Sequence, residues 1–127
     1  MAIISYTIQN ILPGVRIATW SSVTQADTCR PVVCPQYSDK SFQVYGSFGS
    51  GGEVVLEGTN EVTSPSNYAT LRDPRGGANT IDSFSAGMSQ VLENCYQVRP
   101  RVSAGTGVNL TIVLLMSTPT AYSNAEV

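Results

Sequence analysis

The stretch Gly46–Glu61, GSFGSGGEVVLEGTNE, carries five glycines in sixteen residues, and its reading decides the fold. A phosphate loop would need a lysine and a hydroxyl where a helix begins, so that an ammonium and backbone N–H groups meet the phosphates. Here the glycines lead to Glu53, whose carboxylate would repel phosphate, and then to the apolar run Val54-Val55-Leu56. A dinucleotide fingerprint requires strand, glycines and then helix, and these residues continue as a strand instead. The glycines therefore read as a hairpin turn between SFQVYGSF (41–48) and EVVLEG (53–58).

Outward from that turn the periodicity stays close to two. SFQVYGSF sets Phe42, Val44 and Phe48 near one face, with Gln43 and Tyr45 on the other. NYATLRD (67–73) reads the same way. In CYQVRPRVSA (95–104), Tyr96, Val98, Pro100 and Val102 alternate with Gln97, Arg99, Arg101 and Ser103. VNLTIVLLMS (108–117) reads as a more fully buried strand, rich in β-branched residues. AIISYTIQN and GVRIATW (14–20) add two candidates near the start. Pro13-Gly14, the glycines at 49–52, Pro74 to Gly77 and Gly105-Thr106-Gly107 supply the turns. Seven or eight short strands in this length predict a single all-β domain over 1–127, an antiparallel β-sandwich of jelly-roll type.

Three segments stand outside that pattern. IDSFSAGMSQVLEN (81–94) places Phe84, Met88, Val91 and Leu92 at helical spacing, so at most one short helix is expected, with Gly87 costing it about 1 kcal/mol. Residues 21–39, with Pro31 and Pro35, read as an extended loop or arm. Residues 118–127 read as a polar tail that needs a partner to be ordered.

Composition narrows the function. Charged residues make up 13% of the 127, with Lys+Arg 7 against Asp+Glu 9 and a formal net charge of −2. That is roughly half the usual charged fraction of a globular domain. A surface of hydroxyls, amides and small apolar groups suits a protein that packs against something, because each buried charge is costly. Lys40 is the only lysine, so no basic stripe exists to displace counterions, and nucleic acid is not an expected partner. The longest apolar run, Ile112 to Met116, is too short to span a bilayer, and MAIISYTIQN lacks the features of an export signal, so no membrane association is expected.

The chain has no histidine, which removes the commonest general base and metal ligand together. Neither Ser nor Cys has an activating partner of the usual kind, and no G-x-S-x-G elbow occurs. A glycosidase could run on two carboxylates such as Glu57 and Asp73. Asp73, Asp82, Glu57 and Glu61 could gather around calcium, yet no calcium-loop spacing is present. Three thiols fall short of a zinc site. No enzymatic activity, metal or cofactor is expected. Cys29 and Cys34 could bridge across a short loop; the odd count, with Cys95, favours reduced thiols.

The residues with most to offer a partner are Arg99 and Arg101, which project from one face of a strand and could grip a carboxylate. Their alternative role is pairing with Glu57 or Asp73 across the sheet. Trp20, Tyr68 and Tyr96 could stack on a sugar ring if they share an open face, although a lone tryptophan at the end of an apolar strand is more often in the core or a subunit interface. The sequon Asn109-Leu110-Thr111 lies in a strand expected to be buried and needs no functional reading.

SFQVYGSFGSGGEVVLEGTNE with NYATLRDPRGG, followed by VLENCYQVRPRVSAGTGVNLTIVLL, resembles a group of small virion proteins of tailed phages over roughly residues 18–115. That group comprises capsid decoration (cement) proteins that bind over a major capsid shell. The resemblance implies a jelly-roll-like protein on the capsid surface, assembled in the host cytoplasm. Its implied partners are the major capsid protein and further copies of itself, as a dimer or trimer. The same rhythm is similar to discoidin-like modules, which implies the alternative of a carbohydrate-binding module on a tail or surface fibre. Glu61-Val62 replaces the Asp-Gly of those modules, and Tyr68 replaces their tryptophan.

Overall fold

The computed structural model describes residues 2–85 and 87–119, and among these every regular element is a strand. In chain order they are β1 (Ile3–Ile4), β2 (Thr7–Leu12), β3 (Val15–Val23), β4 (Thr28–Cys29), β5 (Val32–Val33) and β6 (Asp39–Ser47). There follow β7 (Ser50–Thr59), β8 (Ala69–Thr70), β9 (Thr80–Asp82), β10 (Met88–Val91), β11 (Gln97–Thr106) and β12 (Asn109–Ser117). Two antiparallel sheets form the sandwich. The first runs β10-β6-β12-β3-β2; the second runs β5-β11-β7-β8, with β9 also paired to β7. A short parallel pair, β1 with β4, accompanies them.

The core lies where the inward rows meet. Phe42 and Val44 of β6, Leu110, Ile112, Leu114 and Met116 of β12, and Ala18 and Trp20 of β3 face Val54 and Leu56 of β7 and Val98 and Val102 of β11. Cross-strand pairs such as Ile112 opposite Val44 and Leu114 opposite Phe42 hold the register, since a one-residue slip would turn these side chains to solvent. Trp20 is wholly buried and its Nε1–H donates to the carbonyl of Arg30 at 2.9 Å. Asn79, also fully buried, donates from its side-chain amide to the Arg72 carbonyl and accepts from Ser89 Oγ, bridging the two sheets.

The glycine-rich stretch is a turn, but not a hairpin. β6 pairs in the first sheet and β7 in the second, so Phe48-Gly49 turns a corner of the sandwich. The β11–β12 connection turns a corner in the opposite direction right beside it. Gly49 has φ +58, and a side chain there would run into the backbone of Thr106 and Gly107. Gly105, at φ +114, lies against the backbone of Gly52 in the same way. Gly49 and Gly105 are needed because two backbones cross there within van der Waals reach.

The helix considered over 81–94 does not form. Gly87 adopts φ +83 and Met88–Val91 add to the edge of the first sheet opposite Lys40–Gln43. Of the four residues at helical spacing only Val91 is buried, whereas Phe84, Met88 and Leu92 are exposed. The segment 21–39 does not stand away from the body: it carries the end of β3, then β4 and β5, and buries Val23, Cys29, Val32, Cys34 and Tyr37. NYATLRD contributes only the two-residue β8 and a bridge from Arg72 to Ala78. Thr118 donates its N–H to the Gly14 carbonyl; residues 120–127 of the expected polar tail lie outside the described residues.

Candidate functional site: two sheet faces of opposite chemistry

The outer face of the second sheet is charged. Register sets Arg99 of β11 directly opposite Glu57 of β7, with Arg101 two residues along the same face. Arg99 Nε donates to Glu57 Oε1 at 2.8 Å and Arg101 Nε donates to Oε2 at 3.1 Å. Glu57 is buried beneath the two guanidiniums. The Tyr68 ring lies under Arg99, whose guanidinium carbon is 3.7 Å from the ring centroid, and burial raises the phenol's pKa. The carboxylate these arginines grip is therefore their own sheet's. Tyr68 and Arg99 line one wall of an open cleft of about 240 Å³, shared with Ile3, Thr28, Arg30 and Pro31.

The remaining candidates disperse. Trp20 is in the core, edge-on to Tyr6 at 5.8 Å, so it offers no surface to a ligand, and the three-ring platform of Trp20, Tyr68 and Tyr96 is not assembled. Tyr96 is half-buried, its N–H held by Asn60 Oδ1 at 3.0 Å. Each acid is engaged locally. Asp73 Oδ1 accepts from the N–H groups of Arg75 and Gly77, Glu61 accepts from those of Ser66 and Asn67, and Asp82 Oδ1 from that of Phe84. Among the described residues no three potential metal ligands come together. Glu57 and Asp73, the pair a glycosidase would require, are thus committed to separate arrangements. The three cysteines are free and buried, and burial lifts Cys29 to about 12 and Cys34 to about 11, with Cys95 also raised.

The outer face of the first sheet is its opposite. Across it register aligns Met88, Gln43, Val113, Thr19 and Thr7 in one row, and Gln90, Ser41, Leu115, Ile17 and Gln9 in the next. Tyr45 and Thr111 extend the surface toward the corner turns. Among the described residues of this face the sole charge is Asp39, at its margin. Apart from this face, in the connection between β9 and β10, Phe84 is 96% exposed while its backbone N–H is held by Asp82. The sequence signal for this face was present in the outward positions of SFQVYGSF and VNLTIVLLMS, none of which is charged. It was masked because a central strand with apolar residues on both faces reads simply as buried.

No family model and no curated protein matches the chain. Among solved structures, that of the SPBc2 prophage-derived protein YomS is similar, with a TM-score of 0.59 at 9% identity. The likeness covers 87% of this chain and 100% of that one. At that identity it speaks for the fold.

Proposed function

We propose that this protein is a non-enzymatic structural component of a phage virion, a capsid decoration protein that seats the outer face of its β10-β6-β12-β3-β2 sheet on the major capsid shell. The observation that carries this reading is the absence of charge among the described residues of that face, apart from Asp39 at its edge. A surface of amides, hydroxyls and aliphatic groups can be desolvated without stranding an ion, and charge is likewise depleted in interface centres. The prophage origin of YomS, a protein with the same fold, and the sequence resemblance to small tailed-phage virion proteins support the setting. Binding only to the assembled shell would stabilise it through mass action.

The test is cosedimentation with shells of the encoding phage assembled without this protein. Saturable binding at a stoichiometry fixed by icosahedral symmetry is expected. Val113→Lys, at the centre of the face, should weaken binding by about 2–5 kcal/mol through a buried unpaired charge, with the fold intact by circular dichroism. Absence of binding to such shells would overturn the reading.

A further inference from the structure

The cleft beside the Glu57 cluster is built from three separate parts of the chain. β11 supplies Arg99, the loop before β8 supplies Pro65 and Tyr68, and the segments at β1 and β4 supply Ile3, Arg30 and Pro31. Arg99 is oriented before any ligand arrives: its Nε donates to Glu57, and the Tyr68 ring covers one face of its guanidinium. Neither contact consumes the N–H groups of the two terminal nitrogens, and the side chain keeps 24% exposure. Arg30 is held by its backbone instead. Its N–H donates to the Ile4 carbonyl at 2.9 Å, and its carbonyl accepts from Trp20 Nε1 at 2.9 Å. The Arg30 side chain is exposed and pairs with no acid among the described residues. Two guanidiniums thus border a space of about 240 Å³ to which, among the described residues, no Asp or Glu contributes. Ile3, 66% exposed, joins Pro31 and Pro65 as its apolar wall.

We infer that this cleft receives a glutamate side chain from a partner protein, its carboxylate between Arg30 and Arg99 and its methylenes against Ile3, Pro31 and Pro65. Size selects a side chain: the cleft is open and falls short of the roughly 300 Å³ at which pockets begin to enclose a whole small ligand. Charge selects a carboxylate. Arg30, Arg99 and Arg101 stand in this region with Glu57, Glu61 and Asp27, so no surplus of positive charge draws a dianion such as phosphate. All three acids are already engaged, Glu57 by the arginines, Glu61 by the N–H groups of Ser66 and Asn67, and Asp27 by those of Thr24 and Ala2. What remains unanswered is the planar donor edge of a pre-oriented guanidinium, whose geometry matches the two oxygens of a carboxylate. The apolar wall then covers a stem that aspartate is too short to offer. The cleft belongs to the charged side of the sandwich, so this contact is independent of the face proposed for the shell.

The experiment is a nuclear magnetic resonance titration of the isotope-labelled protein with acetyl-Ala-Glu-Ala-amide, with its glutamine counterpart and with inorganic phosphate. The glutamate peptide should move the Arg99 Nε–H signal and the backbone amides of Ile3 and Arg30 saturably, with a millimolar Kd. The glutamine peptide should not, and phosphate should bind more weakly than the glutamate peptide. Arg30→Gln removes one exposed guanidinium without touching the Glu57 cluster, and should weaken binding by about three- to tenfold. Arg75→Gln, at an exposed arginine outside the cleft, should leave it unchanged. Amide signals away from each substitution will show that the fold is kept. No saturable shift, equal shifts from the glutamine peptide, or binding undiminished in Arg30→Gln would each overturn the inference. Phosphate binding more tightly than the glutamate peptide would make this a phosphate site and overturn it as well.

Discussion

Glu57 holds together more than its size suggests. It is buried between Arg99 and Arg101, and Tyr68 closes Arg99 from the other side. Glu57→Ala leaves two guanidiniums facing each other over a vacated site. Because both arginines retain access to solvent, the cost should be moderate, about 2–3 kcal/mol in urea unfolding, below that of a fully buried pair. A variant as stable as the wild type would mean that the cluster is not structural and would free the arginines for a ligand. The buried thiols invite a different measurement. Burial, above all, holds Cys29 near 12 and Cys34 near 11, so thiolate is scarce at neutral pH and the sulfurs are inaccessible. Thiol reagents should label none of the three in the native state and all of them in denaturant. Lys40, the sole lysine, is likewise 3% exposed and donates to the Tyr37 carbonyl at 2.8 Å. Amine acylation of the folded protein should therefore fall on the α-amino group.

Among the elements, the crossed corners give the cleanest contrast. Gly49→Ala combines a positive φ with collision against the Thr106 carbonyl, and should cost about 2–4 kcal/mol. Gly51 also has a positive φ, at +70, but nothing lies within 4 Å of a side chain built there, so Gly51→Ala should cost only about 1 kcal/mol. Equal effects would show that backbone conformation alone, and not the close crossing, fixes the glycines. These corners also mark what the sequence makes legible. Alternation locates the long strands β6, β7 and β11, and a β-branched apolar run locates β12, which together indicate the sandwich they build. It does not say which sheet a strand joins. A glycine turn that closes a hairpin and one that turns a corner have the same composition, and only pairing with distant strands separates them. β10 was hidden for a related reason: its short stretch follows Gly87, and its apolar residues fit a helical spacing as well as an edge strand. At the site, the Arg99–Arg101 pair was readable from alternation and Glu57 as one of two candidate partners. Trp20 closes an apolar strand, where core or a subunit interface is the commoner place, and the structure puts it in the core; its hydrogen bond to the Arg30 carbonyl was not readable, since that residue lies in a segment that looked detached.

For the whole molecule, acid is the natural stress. Backbone N–H groups hold Asp27 (chiefly that of Thr24) and Glu61 (those of Asn67 and Ser66) below the ordinary carboxylate range. Glu93 is lowered as well: burial pushes it up, but the N–H and guanidinium of Arg72 outweigh that. A carboxylate whose folded pKa is depressed stabilises the fold fully above its unfolded pKa, and that contribution disappears as the pH falls through the folded value. Stability should accordingly be flat near neutrality and fall below the ordinary carboxylate range, and Asp27→Asn should make that fall shallower. Thermal midpoints recorded at successively lower pH will show it. A profile unchanged in Asp27→Asn would remove that carboxylate from the account.

The place of β12 in the first sheet has a consequence for synthesis. It is the middle strand, hydrogen-bonded to β3 on one side and β6 on the other, yet it follows both by more than sixty residues. While a ribosome is still making residues 109–117, β3 and β6 have no partner between them and their apolar rows lie open to solvent. Strand pairing this remote is slow as well as late, on the order of milliseconds to seconds. The nascent chain thus passes its most aggregation-prone interval with half a sheet waiting, and a chaperone that covers those rows should raise the soluble yield more than any change to the finished surface.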